Sequence, residues 1–445
     1  MSIAVLPFSM IGKKSGDEYL GLGLADALIT RLSNVRQIIT RPTSAVRKYT
    51  SHRQDLVTLS RELRVDSILE GSVQHRDGHI RVTVQLVSVQ SATILWAEKF
   101  NEKFTDLFAV EDSISEQVVG ALLLKLTGEE KRRLSKHYTE DIEAYQAYLK
   151  GRYFWNKRTG EGIKKGIGYF RQAIEVDPLY ALAYAGLADS YNLLGIYGDA
   201  RPKEIFPKAK AAAVRALEID DTLAEAHTSL AFVLHRFDWH WREAESEFRR
   251  ALELNPDYPT THHWYGNYLM TMGRQNEAMA EMGRAQQLDP LSQIIDGNIG
   301  NLLYFMRRYD QALKHFQKML EIDANFYGTH SNLGNVYEQK GMYEVAIAEF
   351  EKALTLDDNI STRAWLGHAY ALAGKSDQAK RIINDLAERA KKYYIPPYDI
   401  AIIHIGLGER DEAFALLDKA YKDRNDALVW LKFDREVSKR DCSQS

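Results

Sequence analysis

The sequence predicts two unlike parts. A small α+β domain occupies residues 1–127, and an all-α superhelix of stacked helical hairpins occupies 141–434. Three observations carry this reading. Similar segments recur in the second part: FRRALELNPDY (248–258), FQKMLEIDANF (316–326) and FEKALTLDDNI (350–360), with Phe316 and Phe350 34 residues apart. In the first part Ile80, Val82, Val84 and Leu86 alternate with Arg81, Thr83 and Gln85, the period of a half-buried strand. The composition is globular, with 45% hydrophobic and 27% charged residues over 445 positions. A formal net charge of −3 gives no global reason to expect nucleic acid.

The elements of the first part follow in order. Residues 3–8 form an apolar strand. Residues 17–33 are helical, with Leu20, Leu24, Leu28 and Leu32 on one stripe. Residues 56–63 give another helix. Asp77-Gly78 is a hairpin-turn pair, so residues 68–74 are expected to run antiparallel to the alternating strand. Residues 94–100 read as a further strand. Leu107, Val110, Ile114, Val118 and Ala121 mark an amphipathic helix leading toward the repeats. The expected order is β-α-β-α-β-β-β-α. Residues 128–140 connect the two parts, and the short basic cluster at 131–133 reads as a solvated face.

In the second part the spacing is regular. Gly266, Gly300 and Gly334 lie 34 residues apart, as do Pro256 and Pro290. Leu333, Gly334, Tyr337, Ala346, Phe350 and Ala353 fill one period; Leu187, Ala188 and Tyr191 open an earlier one. Leu366, Gly367, Tyr370 and Ala379 belong to a later one. This pattern resembles the tetratricopeptide repeat family. The residue types have physical reasons. Small residues let two antiparallel helices approach, Phe350 fills the gap to the next hairpin, and a turn glycine ends the first helix left-handed. About eight hairpins are expected from Ile142 to Tyr421. The turns at 159–162, 197–207 and 238–241 are longer than the rest. Leu417 replaces the packing aromatic in the last hairpin, residues 429–433 cap the stack, and 435–445 form a polar tail expected to be disordered.

The first part also carries a resemblance. IAVLPF, the Tyr19-Leu20 helix start, LADALITRLS, VDSILEGSVQHRDGHIRVTVQLV, ILWAEKF and TDLFAVEDSIS are similar to the TolB amino-terminal-like domain found ahead of tetratricopeptide repeats. In that family the two parts often follow an output domain: a winged-helix DNA binder, an adenylate cyclase or a Ser/Thr kinase. Met1 stands just before the first strand, so the chain is expected either to be a stand-alone version or the C-terminal portion of a larger regulator. The resemblance implies a sensory or interaction role. A cell-envelope assembly factor is a further alternative, against which the missing signal peptide speaks.

A phosphate loop needs a glycine where Pro7 stands and Ser or Thr where Lys14 stands. Gly21 and Gly23 begin a dinucleotide-type fingerprint that ends on Asp26, away from any strand; close helix packing explains them. His262-His263 has no third metal ligand at helical spacing. His235, Trp239, His240 and Trp241 read as packing in an irregular turn. Cys442 is the sole cysteine, which rules out an internal disulfide and a cysteine-zinc site. No nucleophile motif occurs, so the expectation is a non-enzymatic chain without cofactor, metal or membrane span, cytoplasmic and of unknown oligomeric state.

One set of residues supports a site. Asn267, Asn301 and Asn335 recur 34 residues apart, each directly after the repeat glycine of the first helix. In the resembled family that position looks into a concave groove. An asparagine offers both donor and acceptor to an extended peptide backbone. Asp189 and His368 hold the equivalent place in outer repeats, and His263 and Tyr304 stand nearby. The plainer alternative is that these residues are solvated or bond neighbouring helices. The expected partner is a protein or peptide segment.

Overall fold

The computed structural model describes residues 1–12, 17–49, 56–196 and 200–433. Residues 13–15 of the first expected turn, 197–199 of the second hairpin's turn and the polar tail lie outside that set.

The first part contains β1 (Ser2–Val5), β2 (Ser9–Met10), α1 (Tyr19–Leu32), β3 (Ile39–Thr40), α2 (Thr43–Val46), α3 (Leu56–Leu63), β4 (Ser67–Arg76), β5 (His79–Ser88), β6 (Thr93–Lys103) and α4 (Leu107–Ala121). The sheet order is β3-β1-β4-β5-β6, with β2 also beside β4. β1 runs parallel to β3 and β4, whereas β4, β5 and β6 are antiparallel. Asp77 (φ 53°) and Gly78 (φ 73°) are both left-handed, the twist that joins adjacent strands with two residues. Leu20, Leu24, Leu28 and Leu32 of α1 are buried, as are Ile80, Val82, Val84 and Leu86 of β5. Gly21 is required by close approach. The Phe8 N–H donates to the Gly21 carbonyl at 3.0 Å, and a side chain on Gly21 would collide with the Phe8 carbonyl.

After α5 (Gly128–Leu134) come eight antiparallel hairpins, each of a helix A and a helix B. They are α6 and α7 (Ile142–Trp155, Gly160–Val176), α8 and α9 (Ala181–Ile196, Pro202–Ile219), α10 and α11 (Ala224–Val233, Trp241–Leu254), and α12 and α13 (Pro259–Thr271, Gln275–Leu288). The remaining four are α14 and α15 (Gln293–Phe305, Tyr309–Ile322), α16 and α17 (Tyr327–Gln339, Tyr343–Leu356), α18 and α19 (Ile360–Leu372, Ser376–Arg389), and α20 and α21 (Pro397–Leu407, Arg410–Lys422). A 3₁₀ segment, Asp426–Phe433, follows. The extra residue of the third hairpin is absorbed as a π-turn at Leu234–Asp238, closed by a left-handed Trp239 (φ 61°).

Packing follows the repeat chemistry. Ala346, Phe350 and Ala353 are fully buried, and a β-carbon on Gly334 would sit 2.6 Å from the Phe350 ring. A recurring clasp fixes helix A to helix B in hairpins 3, 4 and 6. His227, His262 and His330 place Nδ1 2.5, 2.5 and 2.7 Å from Glu247, Glu281 and Glu349. Their Nε2 atoms reach the carbonyls of Asp221, Pro256 and Ala324 in the preceding turn, at 3.0, 2.8 and 3.1 Å. The clasp gives His262 a structural partner in place of a metal.

The two parts share one continuous apolar core that runs from Ile3 to Leu302. Their joint is ionic at its centre. The buried Asp26 accepts two bonds from Arg152 (2.7 and 3.0 Å) and a third from the Thr43 hydroxyl. Further contacts run along the C-terminal ends of the B helices, whose last carbonyls have no partner inside the helix. Arg133 donates to the Leu254 carbonyl (3.4 Å) and Arg41 to the Leu288 carbonyl (3.3 Å). Lys136 pairs with Asp220 at 2.7 Å, and Ser44 donates to Asp289 at 2.6 Å. Among the described residues no helix is long and apolar enough to cross a membrane.

Candidate peptide-binding face

Successive A helices touch one another in series, from α8 through α20, while successive B helices touch far less. A stack that is tight on one side and splayed on the other curves, and its A helices line the inside. α12, α14 and α16 carry Asn267, Asn301 and Asn335, one on each of three neighbouring A helices.

Asn267 is 8% exposed, and its Oδ1 is buried with no hydrogen-bond partner among the described residues. The Oδ1 of Asn335 is in the same condition, and Asn301 is half-buried. One helical turn before Asn267, the Nε2 of His263 also lacks a partner. Burial, with the nearby charges of Arg236 and Arg158, pushes the His263 imidazole down to about 4. At neutral pH the ring is uncharged and keeps one donor and one acceptor. Tyr304 is half-buried and rests against Phe305 and Tyr309, at 5.3 and 5.9 Å between ring centres.

The two outer positions are engaged differently. Asp189 is buried and accepts from the Ser229 hydroxyl at 2.9 Å, which ties α8 to α10. Burial raises its carboxyl above the ordinary aspartate range, and the Ser229 bond opposes that. His368 is wholly buried, with Nδ1 3.0 Å from Glu338 Oε1, which ties α18 to α16. Both residues contact a neighbouring A helix. His235 is buried against Thr271, its Nε2 2.9 Å from the hydroxyl. No group of three or more metal-ligating side chains gathers among the described residues.

Residues 291–359 match the tetratricopeptide repeat family model. These residues are tetratricopeptide repeats, within the longer stack of helical hairpins. Residues 1–117 match the model described as the second domain of HilA/YgeH-like transcriptional regulators, not the TolB amino-terminal-like domain that the sequence wording resembles. A putative adenylate cyclase 3 of Rhizobium meliloti (strain 1021) is 30% identical over 55% of this chain and 42% of its own length. The transcriptional regulator HilA of Salmonella typhimurium is 22% identical over 62% of this chain and 49% of its own. The chain thus spans about half the length of the curated relatives it matches. Among solved structures, Pseudomonas aeruginosa PilF is 21% identical, with a TM-score of 0.36, over 50% of this chain and 96% of its own.

Some features of the solenoid escaped the sequence reading. The histidine clasps recur at 227, 262 and 330, a spacing close to the repeat period that was open to inspection. The return of the 3₁₀ segment onto hairpins 3 and 5 had no signal in the sequence. It brings Arg236, Phe305 and Trp430 together from separations of up to 194 residues.

Proposed function

We propose that this chain is a non-enzymatic interaction protein that holds a peptide or protein segment on the concave face of its repeats. The observation that carries this reading is the pair of buried, unpartnered carbonyl oxygens on Asn267 and Asn335. Leaving such an acceptor buried and unpaired costs about 1–3 kcal/mol, and a ligand backbone N–H recovers that cost. Asn301, His263 and Tyr304 supply further polar and aromatic contacts along the same run. The test is replacement of Asn267, Asn301 and Asn335 together by alanine. Affinity for a captured partner segment is expected to fall by at least about tenfold, with the unfolding midpoint unchanged or raised. Unchanged affinity in the folded variant would sink the reading.

A second reading concerns context. The chain is proposed to be the sensory or regulatory portion of a signalling protein whose output domain lies outside it. Supporting this, its relatives bear the names of an adenylate cyclase and a transcriptional regulator, and it matches each over less than half of that protein's length. Sequencing the reading frame upstream of Met1 decides between an in-frame output domain and none.

A further inference from the structure

The edge formed by the C-terminal ends of the A helices is crossed by the chain's own end. After α21, the segment Asp426–Phe433 turns back across the C-terminal ends of α10 and α14. Arg236 Nη1 donates to the Asp426 carbonyl at 3.4 Å and lies 3.8 Å from the Asp426 carboxylate. The same guanidinium sits 5.4 Å from the centre of the Trp430 ring. Trp430 stacks on Phe305 at 4.8 Å, with 8° between the ring planes. Trp239 is held by Tyr421 (5.2 Å) and by the guanidinium of Arg424 (4.1 Å). Hairpins 3 and 5 thus receive one acidic and one aromatic side chain, four residues apart.

The fit is incomplete. Arg236 Nε and Trp239 Nε1 are buried and have no hydrogen-bond partner among the described residues. Both are donors: Arg236 lies against Asp426 and Trp430, and Trp239 lies against Tyr421 and Arg424, just ahead of the returning segment. A buried donor left unpaired is costly, so the self-contact satisfies the site's apolar surface and one edge of its guanidinium while leaving two N–H groups in need of acceptors. A segment that brings its carboxylate closer, or brings a second one, bonds what Asp426 leaves open.

We propose that Arg236, Trp239 and Phe305 form a docking site for a peptide segment with an acidic residue four places before an aromatic one, and that Asp426–Trp430 occupies it in cis until such a partner displaces it. This rests on the reading that the repeats hold a peptide, and it names that peptide's chemistry. It also makes the chain's own end a competitor that sets the threshold for binding, because an occupied site lowers the apparent affinity by the fraction of molecules that are open.

The probe is a fluorescein-labelled synthetic peptide of sequence RNDALVWLKF, the chain's own residues 424–433. Its anisotropy is titrated with the full chain and with the Asp426→Ala/Trp430→Ala variant. The variant is expected to bind at least about tenfold more tightly than the unaltered chain. Adding Arg236→Ala should remove that gain. A probe with its Asp changed to Asn and its Trp to Ala should not bind. Equal binding by the two proteins, or a gain that survives Arg236→Ala, overturns the proposal. Should the double variant fail to melt cooperatively, hydrogen exchange on the unaltered chain reads the same competition. Excess probe must then speed exchange across 426–433, and unchanged exchange at saturation overturns the proposal. The Asn267, Asn301 and Asn335 variant separates the two readings: it should retain the probe whether or not it loses the captured partner segment, and loss of the probe there would overturn the assignment to Arg236.

Discussion

Asp26 shows how far a single residue can be read. In the sequence it is the residue that spoils a dinucleotide fingerprint, which moves the search for function away from the first loop. The structure supplies its positive role as the buried anchor of the domain joint. Burial works to raise its carboxyl, but the Arg152 charge and the bonds from Arg152, Thr43 and Asn156 outweigh that and hold it below the ordinary aspartate range. A folded value depressed in this way contributes stability that is present above the unfolded value, about 3.9, and is lost as the pH falls through the folded one. Arg152→Ala is expected to lower stability by about 3–5 kcal/mol, because it leaves a buried carboxylate uncompensated. In urea titrations the gap between the unaltered chain and Asp26→Asn should shrink as the pH drops from 7 to about 3. A gap that stays constant over that range would show that the joint does not depend on the Asp26 charge.

At the scale of the hairpin, most of the structure was legible because each repeat restates the same local problem. At Gly300 and Gly334 the glycine of helix A recurs because the aromatic of helix B needs its space. Gly334→Ala pushes a methyl group into the Phe350 ring and is expected to cost about 1–3 kcal/mol by overpacking, read as a lowered urea midpoint. The turn between A and B tells the opposite story. Gly273, Gly341, Gly374 and Gly408 are left-handed there, but Arg307 takes the same conformation at φ 61° with a side chain attached. Arg307 is exposed, so nothing but backbone conformation is at stake. Arg307→Gly is expected to raise stability by about 0.5–1 kcal/mol, the left-handed penalty less the added freedom of glycine in the unfolded chain. A loss of stability would mean that the arginine side chain makes a contribution larger than that strain. What the period could not give was the irregular part. The π-turn before Trp239 arises from one inserted residue, and the sequence marks an insertion without saying how a helix absorbs it.

The whole molecule was the least legible, since its closing contacts join residues far apart in sequence with no periodic signature. Arg41 caps a helix 247 residues away, and Arg236 meets Asp426 across 190. Together these contacts lay the chain over both edges of its own solenoid. The α+β domain and its connection run along the ends of the B helices in hairpins 2 to 4, and the 3₁₀ segment runs across the ends of A helices in hairpins 3 and 5. The consequence is an uneven distribution of stability. Up to Leu302 one large apolar cluster holds nearly all of the core, with a small one at Ala224, Ala251 and Leu254, whereas hairpins 5 to 8 are held by three smaller clusters. A solenoid of separate clusters opens locally, repeat by repeat, unless something outside nearest-neighbour packing ties its end down. Trp430 stacked on Phe305 is such a tie. Trp430→Ala is therefore expected to speed amide exchange across α16 to α21 by about tenfold or more while leaving α1 to α9 unchanged. Hydrogen-exchange mass spectrometry of the full chain resolves these regions. Acceleration confined to residues 426–433 would show that the far hairpins hold themselves, and a uniform acceleration would show that the two halves unfold as one.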